Sequence, residues 1–333
     1  MKKQPKIIVI TPVRNEAWVL EAFLTHCSSW ADHIIIADQY STDGSREICA
    51  RFPKVTLIDN PTREWVEYIC RARLLEEAQR IPGDKIIFAL DADEFLSEGF
   101  EKTEGWRHIL ESQPNEIFCF RWLNLYGNFQ HGEIEGNGAE WVAHFAEDMD
   151  MAEEYRQRER HAVHCQRVPC IEQCRYTEIE DIRFVHLGSL NRQRVRNKLD
   201  FYQVVNIDKN PDKANPVNMY RAYTKAICHQ SPRLDRPVRL CQMGTDNNLT
   251  QYLHSSDNGQ HYIDEMTAIF QREGYKKFFS LCIWDNVDLI NAGIKPTLPL
   301  YIKLIHRYLK ATQPSYHSSL IKLTDKLIKH LLK

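Results

Sequence analysis

Three acids in four positions, Asp91, Asp93 and Glu94, close the apolar run Lys85-Ile86-Ile87-Phe88-Ala89-Leu90. So short an apolar run reads as a buried strand of a mostly parallel sheet, delivering its acids at the carboxyl end. Crowded carboxylates repel one another and lose hydration, so a cation belongs among them. A hard divalent ion, Mg²⁺ or Mn²⁺, fits, because it takes oxygen ligands and shares them with substrate phosphates. Along a strand Asp91 and Asp93 point the same way and Ala92 the other. One acid would then meet the metal while the other holds a water or a ribose. A solvated acidic turn is the plain alternative.

The elements that must position these acids are legible upstream. Lys6–Thr11 reads as a first strand ended by Pro12, with Asn15 able to cap a helix that opens at Glu16. His33–Ala37 is a second strand ending at Asp38, and Val55–Ile58 a third. Helices are expected from Arg46 to Phe52, and from Thr62 through Trp65 and Ala78 to Pro82-Gly83. Alternating strands and helices predict a parallel sheet with right-handed crossovers, which binds ligands beyond the carboxyl ends of its strands. Thr11, Asp38 and the Asp91/Asp93 pair all fall at such ends.

Composition bounds the rest. The 333 residues carry a net charge of −2, against general nucleic-acid binding by a basic surface. Residues 295–333 hold eight Lys/Arg and one acid, leaving 35 cations against 44 acids, or −9, in residues 1–294. The start of the chain has no apolar leader, and no apolar run is long enough to span a bilayer. Ten cysteines without a secretory signal predict free thiols in a reducing cytoplasm.

Ile-Val-Ile-Thr-Pro-Val-Arg-Asn-Glu (8–16), Ile-Ile-Ala-Asp-Gln-Tyr-Ser-Thr-Asp-Gly-Ser (35–45) and Leu-Asp-Ala-Asp-Glu-Phe (90–95), in this order and spacing, resemble the family 2 glycosyltransferases of GT-A fold. The Asp-x-Asp-Glu form resembles the branch that builds lipopolysaccharide core and surface polysaccharides. The resemblance implies Thr11 and Pro12 against the nucleotide, Asp38 on the donor base, and Arg73 in the family's Ala-Arg pair. It also implies Asp91 at the ribose or a metal-bound water and Asp93 on the metal that bridges the diphosphate. Gln39-Tyr40 stands where Asp-Gly is commoner. Two other uses of Asp-x-Asp fit poorly. A nucleotidyltransferase needs a glycine-rich loop after the first strand, and an aspartyl phosphatase places the motif there too.

An inverting transferase needs a carboxylate to take the acceptor's proton; Asp148 is the first candidate and Glu140 the second. His161, His164 and the cysteines up to Cys174 admit a zinc reading, but the Cys-x4-Cys-x3-Cys spacing lacks the Cys-x2-Cys knuckle, and buried thiols are commoner. A strand ending at His186 precedes a basic helix. His186 resembles the histidine that supplies relatives with a further metal ligand, while Ser189, Arg192 and Lys198 are candidates for the leaving diphosphate. The plain alternative for that helix is a solvated basic face.

Residues 1–235 are thus expected to form a GT-A-like α/β catalytic domain, and 236–333 a helical extension ending in basic amphipathic helices. The expected partners are a UDP-sugar donor, a glycan or lipid-linked acceptor and, through 295–333, a membrane surface, with no nucleic acid. The expected location is the cytoplasm, with the tail able to reach the inner face of the cell membrane. A non-catalytic scaffold that binds nucleotide sugar or lipid is the alternative.

Overall fold

The computed structural model describes residues 4–60, 67–157, 166–171, 173–211, 214–228, 232–254 and 256–332. The expected Thr62 cap, Trp65, and the His161, His164 and Cys165 part of the zinc reading lie outside these residues. The chain divides into two compact units, Met1–Leu190 with Pro232–Ser255, and Asn191–Ser231 with Ser256–Lys333. The dividing points therefore differ from the boundary expected at 235/236.

The first unit is built on strands β1 (Lys6–Val13), β2 (His33–Asp38), β3 (Val55–Asp59), β4 (Lys85–Ala89), β5 (Glu94–Leu96), β6 (Glu116–Tyr126), β7 (Gly132–Phe145) and β8 (Arg175–Ser189). They form one open, mostly parallel sheet in the order β3-β2-β1-β4-β7-β6-β8-β5, in which β3, β2, β1 and β4 run parallel. The helices of this unit are α1 (Ala17–Ser28), α2 (Ser45–Cys49), α3 (Glu67–Gln79), α4 (Glu104–Glu111) and α5 (Glu153–Gln157).

The continuous apolar runs of β1, β2 and β4 reflect a sheet buried on both faces. Val9, Ile34, Ile36, Ile86 and Phe88 enter the core on the α1 and α4 side. Their strand neighbours Ile8, Ile10, Ile35, Ala37, Ile87 and Ala89 enter the core on the α3 side. Each such Val, Ile or Phe side chain contributes about 1.5–3 kcal/mol when fully buried, and a slip of one residue would exchange the two cores.

Two local expectations are corrected. Pro12 does not end β1, which continues to Val13. The ladder to β4 stops at Ile10, so the N–H that proline lacks is not needed there. Asn15 does not cap α1 either. It takes a left-handed backbone (φ 54°) and its side chain accepts from the Thr42 N–H. The first amide hydrogens at α1 go instead to the loop after β2: Glu16 N–H donates to Ser45 Oγ and Ala17 N–H to Asp43. The loops after β1 and β2 are thereby tied to each other.

The second unit is helical: α6 (Arg192–Lys209), α7 (Pro216–Cys228), α8 (Gln260–Glu273), α9 (Val287–Asn291), α10 (Leu300–Thr312) and α11 (Ser319–Leu331). Asp200 of α6 is buried among Arg196 at 2.7 Å and Asn286 at 2.8 Å. Burial raises its carboxyl from the ordinary aspartate value to about 6, against the pull of Arg196. A raised carboxyl binds more protons folded than unfolded, so its contribution to stability is complete below the unfolded value and is lost as pH rises through about 6. Opening of α6, followed by hydrogen exchange corrected for intrinsic rates, is expected to become rarer as pH falls from about 7 to about 5. Asp200→Asn should flatten that profile; an unchanged profile would contradict this account.

Candidate active site

The strand that carries the acids ends at Ala89, and Asp91 to Glu94 form a turn closed by the Glu94 N–H to Asp91 carbonyl bond at 3.1 Å. Strand alternation therefore does not orient Asp91 and Asp93; the turn sends the three acids to different partners.

Glu94 is completely buried. Its carboxylate accepts from Trp122 Nε1 (2.8 Å), from the Asp91 N–H (2.9 Å) and from the Arg167 guanidinium (2.5 and 3.0 Å). Burial pushes its carboxyl above the usual range, and Arg167 pulls it back. Asp91 is bridged by Arg167 at 2.8 Å and by the buried Arg71 at 3.2 Å. Arg167 also lies over the rings of Trp122 and Trp141. The cation demanded by the crowded acids is thus supplied to Asp91 and Glu94 by two arginines. Sequence reasoning misses both, since Arg167 lies close to the residues read for zinc and the Ala-Arg pair points to Arg73 rather than Arg71. Arg73 is two-fifths exposed and faces Glu76 at 3.5 Å.

Asp93 is different. Its Oδ2 stands 3.5 Å from Nε2 of His186, the residue cross-strand from Glu94 in the β5–β8 ladder. His186 Nδ1 meets Asn124 Oδ1 at 2.6 Å, while the Asn124 amide donates to Glu135 (2.7 Å), which also accepts from Tyr126 (3.1 Å). The Glu135 carboxylate can only accept, so it fixes the Asn124 amide with its oxygen toward His186. Nδ1 must then carry the proton, which leaves Nε2 as the ring atom that faces Asp93. The stacking of His186 on Trp122 (5.4 Å between centroids) holds the ring in place.

Gly188 closes this pocket. A Cβ there would lie 2.6 Å from His186 Nε2 and 3.1 Å from Asp93 Oδ2. Gly188→Ala is therefore expected to displace the imidazole and lower transfer by about 100-fold or more while the fold persists. A kinetic assay alongside thermal unfolding checks this; full activity in the variant would show that the pocket has slack.

At the neighbouring strand ends, Thr11 Oγ1 and Asp38 Oδ1 are buried without a hydrogen-bond partner. Asp38 Oδ2 accepts from Arg46 at 2.8 Å. Orphaned buried oxygens cost free energy, and a ligand N–H or O–H would satisfy them. Pro12 pairs with Ala37 between these two positions. Ser189 ends β8, its carbonyl accepting from Gly127 N–H. Arg192 and Lys198 belong to α6 of the second unit, in which Arg194 pairs with Asp257, and Arg196 with Asp200 and Asp285.

The two candidate bases separate. β7 runs antiparallel to β4 with Phe145 opposite Lys85 and Val142 opposite Phe88. Glu140 is therefore level with the acid turn, whereas exposed Asp148 lies beyond the opposite end of β4. Of the cysteines read as free thiols, Cys170 and Cys174 are instead joined as a disulfide, while Cys27, Cys49, Cys70, Cys119, Cys241 and Cys282 are free. The pairing takes both of these cysteines out of the zinc reading. Among the described residues no three His, Cys, Asp or Glu side chains come together as a metal cage. An acidic cavity of about 720 Å³ lined by Glu104, His108, Glu178, Glu180 and Asp181 lies between α4 and β8.

Residues 8–128 match the family model described as glycosyl transferase family 2. Over this stretch the chain is similar to the family 2 glycosyltransferases. The match takes in Thr11, Asp38, Arg71, the acid turn and Asn124; His186 and Arg167 lie outside it. A family 2 glycosyltransferase draws on a nucleotide-sugar donor, and members of the family commonly use a divalent metal. No curated protein matches the chain. Among solved structures it is similar to a 4-diphosphocytidyl-2C-methyl-D-erythritol synthase, at 13% identity and TM-score 0.33, over 47% of this chain and 82% of that one. It is also similar to a mannose-1-phosphate geranyltransferase from Thermus thermophilus, at 14% identity and TM-score 0.29, over 46% of this chain and 61% of the other.

Proposed function

We propose that this chain is an inverting, metal-dependent family 2 glycosyltransferase that moves a sugar from a UDP-sugar to a hydroxyl of a glycan or lipid-linked acceptor in cell-surface polysaccharide or lipopolysaccharide synthesis. The observation that supports metal dependence is the Asp93–His186 pair, a carboxylate oxygen 3.5 Å from Nε2 of a ring that is anchored on Asn124 through Nδ1. The Asp93 carboxylate suits Mg²⁺ or Mn²⁺, which leave other positions to water and phosphate oxygens. When bound there, such an ion neutralises charge growing on the departing nucleoside diphosphate.

The chain's own residues do the rest. Asp38 and Thr11 offer buried acceptors to the donor's base and ribose. Arg71, with Nε and Nη1 unpaired, holds Asp91 in place beside them. Glu94 and Arg167 brace the turn from beneath. For a single displacement a carboxylate must take the acceptor's proton, and Glu140 on β7 is assigned that role in preference to Asp148.

A thermal-shift panel of UDP-, GDP-, CMP- and dTDP-sugars, each with Mn²⁺ and with EDTA, tests the reading. A donor at about 100 times its dissociation constant adds about 2.7 kcal/mol. A shift with the UDP-sugar that disappears in EDTA is expected. Absence of a shift with any donor would favour the non-catalytic scaffold.

A further inference from the structure

From α10 and α11 we infer that the carboxyl-terminal helices form a docking surface for an anionic lipid bilayer. This inference concerns the second unit alone and does not depend on the transfer reading.

Each helix carries three faces, as successive residues advance about 100° around the axis. In α11 one face, with Asp325 and Ile328, is buried against α7. A second carries Leu320, Leu323, Leu327 and Leu331, between 59% and 74% exposed. The third carries Lys322, Lys326 and Lys329. α10 repeats the pattern: Ile302, His306 and Leu309 are buried, Leu300, Tyr301 and Leu304 exposed, and Lys303, Arg307 and Lys310 share the remaining face. The buried face satisfies the fold. The leucine faces do not, and exposing so many large apolar side chains on two successive helices marks an interaction site.

The charge identifies the occupant. The single acid in residues 295–333, Asp325, is buried and paired with Arg221 at 2.9 and 3.0 Å. The exposed surface of these two helices therefore offers cations and apolar side chains and no carboxylate side chain. Of these cations, Lys310 is held by Asp285 at 2.7 Å. A second copy seated on the same stripe would set lysine faces against lysine faces. An anionic bilayer meets both needs, taking leucines into the acyl boundary while lipid headgroups pair with the lysines. No helix of the described residues is long and apolar enough to cross a membrane, so the contact is peripheral.

Sedimentation of the full chain with phosphatidylcholine vesicles, with and without about a third phosphatidylglycerol, tests this. Binding to the anionic vesicles alone, released by high salt, is expected. Replacing Lys322, Lys326 and Lys329 with Gln should weaken partitioning on the order of 100-fold. Leu323→Glu with Leu327→Glu should abolish it, with the thermal unfolding midpoint unchanged because none of the five side chains is buried. Failure of the wild-type chain to bind anionic vesicles would overturn the inference. So would binding that ignores lipid charge, or a dimer in sedimentation equilibrium that Leu323→Glu dissociates while vesicles capture nothing.

Discussion

Asp93→Ala is expected to lower kcat/KM for sugar transfer on the order of 10³-fold, with little change in thermal unfolding. The carboxylate is nearly buried, with His186 Nε2 at 3.5 Å. In the proposed reaction it contributes charge where the leaving diphosphate is neutralised. Donor-dependent protection from unfolding should vanish with it, whereas Asp91 and Glu94 remain held by Arg167 and Arg71. Wild-type turnover by the variant would remove the central residue from the proposed reaction.

Arg167→Met should do the reverse and act first on stability. It strips the counter-ion from Glu94, a carboxylate with no solvent exposure, and breaking a buried pair this way costs about 3–5 kcal/mol. Burial already raises the Glu94 carboxyl, and loss of the guanidinium raises it further. The folded variant then binds a proton that the unfolded chain releases, so its deficit narrows as pH falls and widens as pH rises through the folded value. Urea unfolding of the wild type, Arg167→Met, Glu94→Gln and the double variant, each at two pH values, closes a double-mutant cycle. Additive effects across the cycle would show that the two side chains are not coupled.

The four parallel strands were legible because their apolar runs are short, unbroken and bounded by turn residues. The acid turn was legible as a crowd of carboxylates in need of a cation, and for Asp91 and Glu94 the structure supplies it as arginine. What the spacing could not show was which cation answers them. Arg167 is 73 residues from Glu94, in a segment whose cysteines draw attention to zinc, and nothing local marks it. Arg71 and Arg73 sit two apart on one helix, and only the rotation of α3 decides that the first is buried and the second faces solvent. Strand alternation misleads at Asp91 and Asp93 because the ladder has already ended at Ala89. Asp148 has the letters of a base, yet the antiparallel run of β7 carries it to the far end of β4, a reversal that no window of sequence around it reveals.

The first unit is discontinuous along the chain, and this has a consequence for how it is made. Residues Pro232–Ser255 return to it after α6 and α7, setting Leu240 and Leu249 into the core beside α1. Cys241 supplies the carbonyl that His26 Nδ1 binds at 2.8 Å, and His254 N–H donates to the Trp18 carbonyl. His26, its basicity lowered to about 4 by burial, also accepts from Leu96 N–H just beyond the acid turn. A ribosome that has delivered every family 2 motif has still not delivered the strap that seals this core. Until Ser255 has emerged, the nascent sheet carries an open apolar seam along α1, and a chain stopped at Ser231 would keep that seam for good.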